Sequence, residues 1–505
     1  MATETRTPTV PEADAVDSVR AALRSPRRLR TEVLAGLVVA LALIPEAISF
    51  SIIAGVDPRI GLFASFTMAV SIAFLGGRPA MISAATGAIA LVVAPVMQQH
   101  GYDYLIATVL LGGVVQVVLG LLGVARLMRF VPRSVMVGFV NALAILIFSA
   151  QLPNLLGVPW LVYPMVAVGI GVMVYLPRLQ KVVPAPLVAI VLLTLVTVAA
   201  SVQVPTVGDA GALPDSLPSL LLPDVPLTLG TLKIVGPYAV AMALVGLMES
   251  LMTAKLVDDV TDTHSDKTRE AWGQGVANVV TGLFGGMGGC AMIGQTMINT
   301  KVSGARTRIS TFLAGVFLLV LVVGLGDLVA AIPMAALVAV MVMVSVGTFD
   351  WHSVRPSTLR RMPRSETAVM VVTVVVTVAT SNLAIGVVTG VVVASVLFVR
   401  RVAHLTAVTR LDGSDDDGAR VYAVTGELFF ASSNDLVHQF DYAGDPDRVV
   451  IDLSAAHVWD ASTVATLDAI ETRYAAKGKH VTIRGLDEDS AARHGRLAGT
   501  LGGGH

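Results

Sequence analysis

Charge is scarce in this chain. Asp, Glu, Lys and Arg together make up 14% of its 505 residues, against roughly 25% in soluble domains. Aromatic residues are 5%, and the single cysteine, Cys290, excludes an internal disulfide and a cysteine-based metal cluster. No cleavable leader is visible. Residues 1–33 are polar and then basic (Arg20, Arg24, Arg27, Arg28, Arg30), which reads as a cytosolic arm. No nucleophile–base pair or metal-ligand cluster stands out, so no enzyme, cofactor, metal site or nucleic-acid partner is expected. What is abundant is apolar sequence: 54% of residues are hydrophobic and the mean hydropathy is +0.76.

Apolar runs of membrane-spanning length recur from Leu34 to about Val402. They fall at 34–55, 60–76, 86–99, 103–123, 133–152, 158–176, 182–202, 235–254, 272–286, 293–303, 308–330, 332–348, 366–381 and 384–403. Of these fourteen segments, the third and the tenth are too short to span. Loop charge tests the count. With the N-terminus inside, the even-numbered connections should be basic. They carry Arg78, then Arg126, Arg129 and Arg133, then Arg178 and Lys181, and so on to Arg400 and Arg401. The loop 203–230 has Asp209, Asp215 and Asp224 without a basic residue, and only Arg59 and Lys233 break the pattern. The expectation is a multi-pass protein of the cell membrane, embedded in lipid, with both termini cytoplasmic.

Seven segments lie on each side of the 203–230 loop. An odd number per half turns the second half over relative to the first, an inverted repeat of about 34–202 and 235–403. Each half opens with a span carrying a lone glutamate, Glu46 in the first and Glu249 in the second. An ionisable group at bilayer depth costs about 2.5–3.5 kcal/mol even on mild insertion scales, so it usually faces a functional cavity. That points to a transported ion or proton, against the plainer alternative of a carboxylate bonded to a neighbouring helix.

The two short segments occupy equivalent places in the halves. Met81–Ala84 can run extended, with a helix starting near Thr86, and five glycines in Gly285–Gly294 let the second segment unwind. Irregular backbone at membrane depth is tolerated only when buried in protein or lining a cavity. Helices starting there leave free N–H groups and positive dipole ends, an anion site that needs no arginine. The alternative is that the glycines serve close helix packing.

After Val402 the composition changes. Residues 404–418 read as an acidic linker, 419–496 as a soluble α/β unit and 497–505 as a disordered tail. Val421–Val424, Leu428–Phe430, Arg448–Leu453 and Val481–Arg484 read as strands, with Asp460-Ala461-Ser462-Thr463 able to cap a helix through Ala476. Ser462 is read mainly as a helix cap, Trp459 as core or interface, and Cys290 as a small apolar packer.

The chain resembles the SulP family of sulfate permease and prestin-like anion transporters. The likeness rests on Ile44-Pro45-Glu46-Ala47-Ile48-Ser49-Phe50, Asp57–Leu62, Glu249-Ser250-Leu251-Met252-Thr253, Gly273–Asn278 and Ile298-Asn299-Thr300-Lys301. Gly426–Phe430 and Val449–Leu453, followed by Asp460-Ala461-Ser462, resemble that family's STAS domain. The resemblance implies an all-α membrane domain of fourteen segments in a 7+7 inverted repeat plus a small cytosolic α/β STAS-like domain. Segments 1–4 and 8–11 would form a core moving against a gate, and a homodimer is expected. It places anion-binding residues at Phe50, Thr86, Gly87, Ala88, Gly294 and Gln295, and coupling-ion residues at Glu46, Glu249 and Thr253. Ser462 matches a position phosphorylated in some STAS-type regulators. The chain departs from the family at Ala84-Ala85, where Gly-Pro is common, and at Gly294-Gln295-Thr296, where many members carry Ser-Arg-Ser. The second departure removes a fixed positive charge.

The expected function is secondary active transport of a small anion (sulfate, bicarbonate or a dicarboxylate), with symport of protons. Glu46 would repel the anion when ionised and admit it when protonated. Glu249 and Thr253, one turn apart, define the competing version, a sodium site. Anion exchange and a nucleobase permease of the related 7+7 fold are the further alternatives.

Overall fold

Several helices begin in this chain where the sequence supplies a start signal, a proline at the first position or a capping threonine. The structure, a computed structural model, describes residues 18–126, 131–179, 184–403, 405–414 and 419–500. Residues 1–17 of the expected arm, Arg129, Lys181, part of the linker and the end of the tail lie outside them. Two units divide between Val391 and Val392, inside the last membrane helix.

Each of the fourteen expected segments contains a helix. The first seven are α1 (Pro26–Ala54), α2 (Pro58–Leu75), α3 (Gly87–His100), α4 (Tyr102–Leu121), α5 (Arg133–Ser149), α6 (Val162–Leu179) and α7 (Ala185–Ala199). The second seven are α8 (Leu229–Thr261), α9 (Lys267–Leu283), α10 (Ile293–Met297), α11 (Arg308–Gly324), α12 (Met334–Thr348), α13 (Arg364–Thr380) and α14 (Leu383–Ala403). Five further residues, Ile298–Val302, continue α10 as a π-turn. The first helix starts earlier than hydropathy predicts, because Pro26 at its first position presets the helical φ. The eighth runs on through the polar Lys255–Thr261 and stops at Asp262, which adopts a left-handed conformation.

Packing sorts these helices into two sets. α4 lies against α8 and α9, α11 against α1 and α2, and α3 against α1 and α8. Separately, α13 packs on α5, and α12 on α5, α6 and α7. Small residues bring the helices together. A Cβ on Gly275 would stand 2.6 Å from the Gly113 carbonyl oxygen, and one on Gly138 2.9 Å from that of Met370.

The second unit contains a four-stranded sheet in the order β3 (Ala407–Ser414), β4 (Arg420–Leu428), β5 (Arg448–Val458), β6 (His480–Arg484). β3 and β4 are antiparallel, and the other two pairings are parallel. Helices α15 (Phe430–Leu436), α16 (Ala461–Ala475) and α17 (Glu488–Leu497) accompany it. Three expectations change. Residues 407–414, placed in the linker, form an edge strand, which polar residues suit because one side is unpaired. The two short strands expected at Val421–Val424 and Leu428–Phe430 are one strand, and Phe430 opens a helix instead. The expected tail is helical at its start, since Leu497 ends α17.

Candidate functional site

Two breaks in the membrane helices build the site. Gly76–Ala85 connects α2 to α3 and Phe284–Met292 connects α9 to α10. Where they meet they pair as a two-stranded ribbon. In it β1 (Ser83–Ala84) runs antiparallel to β2 (Cys290–Ala291), with Ser83 opposite Ala291 and Ala84 opposite Cys290. The approach demands glycine: a Cβ on Gly289 would sit 2.1 Å from the Ala84 carbonyl oxygen.

Side chains supply the hydrogen bonds this backbone cannot take from lipid. Asn278 of α9 grips Gly289 from both sides: its Oδ1 accepts from the Gly289 N–H at 2.8 Å and its Nδ2 donates to the Gly289 carbonyl at 3.0 Å. One turn earlier, Gln274 Nε2 donates to Ser83 Oγ at 2.6 Å. Asn299 Nδ2 donates to the Ala80 carbonyl at 2.8 Å, and Ser250 Oγ accepts from the Ala291 N–H at 3.1 Å. The Gly273–Asn278 and Ile298–Lys301 stretches are thus the supports of the broken helices.

Each ribbon strand feeds a helix. Thr86 caps α3, its hydroxyl accepting from the Ile89 N–H, and α10 follows Met292. The first N–H groups of α3 have no intrahelical acceptor and carry its positive dipole end. α1 runs past both starts. Phe50 faces α3, where a Cβ on Gly87 would lie 2.9 Å from Phe50 Cε1 and 3.0 Å from Ile147 Cδ1. One turn back, Glu46 accepts from Gln295 Nε2 at 2.8 Å. Pro45, just before it, has no N–H to return to Leu41, a local weakness in α1 at the site.

Glu249 makes the matching connection. The Cys290 thiol donates to Glu249 Oε2 at 2.9 Å and stands 3.0 Å from Thr86 Oγ1. Glu46 therefore bonds the broken helix of the other half directly, whereas Glu249 is linked to it through Cys290 of its own half. Among the described residues, neither glutamate enters an ion pair.

The sequence-derived residues fall into place unevenly. Glu46 and Gln295 touch. Phe50 and Gly87 touch, with Thr86 and the fully buried Ala88 beside Gly87 on the first turn of α3. Gly294 is exposed, and a Cβ there would meet nothing within 4 Å. Thr253 is engaged elsewhere, its hydroxyl donating to the backbone carbonyl of Glu249 at 2.8 Å. Cys290 does more than pack. Its polar role, with those of Gln274, Asn278 and Asn299, was not assigned from sequence, although amides in apolar helices were a signal. Asp460, not Ser462, caps α16, because its carboxylate accepts from the Thr463 N–H at 3.0 Å. Ser462 is exposed on the first turn, and Trp459 is 61% exposed rather than core, its indole N–H turned to Glu427.

Two clefts flank this arrangement along α1. One, of about 490 Å³, is lined by Val38, Met173, Pro184, Ile298, Val302 and Val340, two turns before Glu46. The other, of about 510 Å³, is lined by Ile52, Gly55, Asn154, Val158, Thr206 and Met334, nearly two turns after it.

Paired broken helices from an inverted repeat, with carboxylates at their junction, are the architecture of a membrane transporter. The family model described as the sulfate permease family matches residues 29–168 and 165–373, the STAS domain model matches 411–497, and the chain belongs to the sulfate permease family. It is therefore a multi-pass membrane transporter and not an enzyme. It is 53% identical over 470 residues to "Putative sulfate transporter YbaR" of Bacillus subtilis, covering 93% of this chain and 97% of that one. The structure of the transmembrane domain of the cyanobacterial bicarbonate transporter BicA is similar at a TM-score of 0.63 and 25% identity, over 73% of this chain and 97% of that one. Murine Slc26a9 in the inward-facing state shares the fold at a TM-score of 0.79 and 16% identity, over 99% of this chain and 94% of that one.

Proposed function

We propose that the chain transports a small anion (sulfate, bicarbonate or a dicarboxylate) in symport with protons, by alternating access. The observation that carries this reading is the convergence on α1 of Glu46 with Gln295 and, one turn on, of Phe50 with the start of α3. The relatives named as sulfate and bicarbonate transporters support the substrate class.

The anion sits at the start of α3, held by backbone N–H groups with Phe50 and Gly87 setting the width. Gln295 and Gly294 close the site from α10. Glu46 ionised repels the anion, and Glu46 protonated admits it, so both cross together. The set α1–α4 with α8–α11 then moves against the remaining helices, opening first one flanking cleft and then the other. Sodium coupling at Glu249 and Thr253 is the weaker reading, since Cys290 and the Glu249 carbonyl already engage those side chains. The protein is a homodimer of the cell membrane with cytoplasmic termini, and Ser462 is the regulatory candidate of the STAS domain.

Labelled-anion uptake into proteoliposomes tests this. An inward proton gradient should drive uptake of sulfate, bicarbonate or fumarate, and Glu46→Gln should lose that drive while still binding the anion. Uptake driven by sodium alone, with Glu46→Gln indifferent, would move the coupling site to Glu249.

A further inference from the structure

Gln295 is a buried side chain with one end unused. It is 2% exposed, its Nε2 donates to Glu46 Oε1 at 2.8 Å, and its Oε1 has no hydrogen-bond partner. A buried acceptor left unmade is unfavourable and calls for a ligand or a second state. Beside it Gly294 borders open space.

We propose that the Gln295 amide ties anion binding to the proton on Glu46 by exchanging which of its ends faces each of them. This rests on the proton–anion reading above. An ionised carboxylate only accepts, so Gln295 must turn its NH2 group to Glu46, which leaves Oε1 facing away. An anion also offers acceptors, and an acceptor against Oε1 is repulsive. Once Glu46 carries a proton it becomes a donor. A half-turn of the amide then gives Oε1 to Glu46 and presents two N–H donors on the other side, where an anion takes them. Anion without proton leaves two acceptors opposed, and proton without anion leaves the NH2 group unpaired. Only the doubly loaded state satisfies every group, which couples the two ligands reciprocally.

The surroundings leave Glu46 as the group that switches. Of the elements packed on α1, α2 carries Arg59 in its first turn, after Asp57 at its cap, and α3 carries His100 in its last. α10 carries Lys301 in its closing π-turn, α11 carries Arg308 at its first position, and α7 and α12 carry no ionisable residue. The short helix Val19–Arg24 carries Arg20 and Arg24, and Arg27, Arg28, Arg30 and Glu32 of α1 lie at that same end. All are at helix ends, and among the described residues none forms an ion pair with Glu46. Across the ribbon stand Glu249 and Cys290, bonded to each other.

The test is the dissociation constant of labelled sulfate, or of fumarate, for the full chain in nanodiscs from pH 5.5 to 8.5. Parent affinity should fall as pH rises, by up to about tenfold per unit for one linked proton. Gln295→Met should weaken binding about tenfold at pH 5.5, the scale of one lost hydrogen bond, and leave pH 8.5 nearly unchanged, flattening the profile. Gln295→Asn, which keeps an amide but draws it back from Glu46, should flatten the profile likewise and guards against misfolding of the first variant. Glu46→Gln should bind independently of pH, and adding Gln295→Met should weaken it about tenfold again. Equal losses at both pH extremes in Gln295→Met, or a profile with the parent's slope, would overturn the amide proposal alone. No anion binding by the parent at any pH would overturn the transport reading as well.

Discussion

The Cys290 thiol stands between Thr86 and Glu249, 3.0 Å from the hydroxyl and 2.9 Å from the carboxylate, and so joins the cap of α3 to the glutamate of the opposite repeat. All three side chains are at most 8% exposed. Hydroxyl and thiol each have one proton to give. With the thiol donating to Glu249, the Thr86 hydroxyl is left to donate to sulfur, and the chain of donors has a direction.

Removing the thiol should therefore cost stability. Cys290→Ala leaves a buried carboxylate short of a donor, a loss of about 1–3 kcal/mol. The variant should melt earlier than the parent in detergent, and Cys290→Ser, which keeps a donor, should recover most of the difference. Thermal unfolding followed by size-exclusion chromatography decides it. Equal melting of Cys290→Ala and the parent would mean that the thiol only fills space.

The two site glycines should respond differently to a methyl group. At Gly87 a Cβ would meet Phe50 Cε1 at 2.9 Å and Ile147 at 3.0 Å, both ends of movable side chains. Gly87→Ala should fold, push Phe50 aside and cut anion uptake by about tenfold or more, the cost of a site displaced by a fraction of an ångström. At Gly294 a Cβ would meet nothing within 4 Å. Gly294→Ala should match the parent in expression and melting. Comparing uptake with melting for both variants separates a site effect from a folding effect.

The ribbon is less forgiving. A Cβ on Gly289 would lie 2.1 Å from a backbone oxygen of the facing strand, and backbone cannot swing away. Gly289→Ala should fail to give a monodisperse protein. Asn278→Ala should fold but lose stability by about 1–3 kcal/mol for each buried Gly289 group left unpaired. A well-behaved Gly289→Ala protein would show that the ribbon is not the fixed centre of the fold.

The places where the sequence could be read are those where one segment carries its own signal. Each hydropathy run became a helix, Thr86 marks the start of α3 through its capping hydroxyl, and the glutamates stood out as lone charges in apolar sequence. Pairings were not readable. Cys290 with Thr86, Gln295 with Glu46 and Asn299 with Ala80 join residues more than two hundred positions apart, and no local pattern records which polar groups meet. In the STAS domain, β3 was hidden for a similar reason. An edge strand such as Arg410–Asp412 does not need the apolar run that identifies a buried one. Ser462 and Asp460 were confused because both residue types cap helices, and only the backbone at Asp460, with φ −141° and ψ 171°, tells which one does.

That cap gives a prediction about regulation. Asp460 serves two helices: its Oδ1 accepts from the Thr463 N–H at 3.0 Å and its Oδ2 from the Phe430 N–H at 2.7 Å. Asp460→Ala should destabilise the STAS domain by about 1–2 kcal/mol, the usual worth of a cap, and free the start of α15 as well. Ser462 lies exposed on the first turn of α16, where added negative charge meets the positive helix end and gains about 0.3–1 kcal/mol. Ser462→Asp should therefore leave domain stability unchanged or slightly raised, as read by hydrogen exchange of α16 in the full chain. If a phosphate at Ser462 regulates transport, it acts through the surface it changes, beside the exposed Phe430 and Trp459, and not by unfolding the domain. Accelerated exchange along α16 in Ser462→Asp would reverse that conclusion.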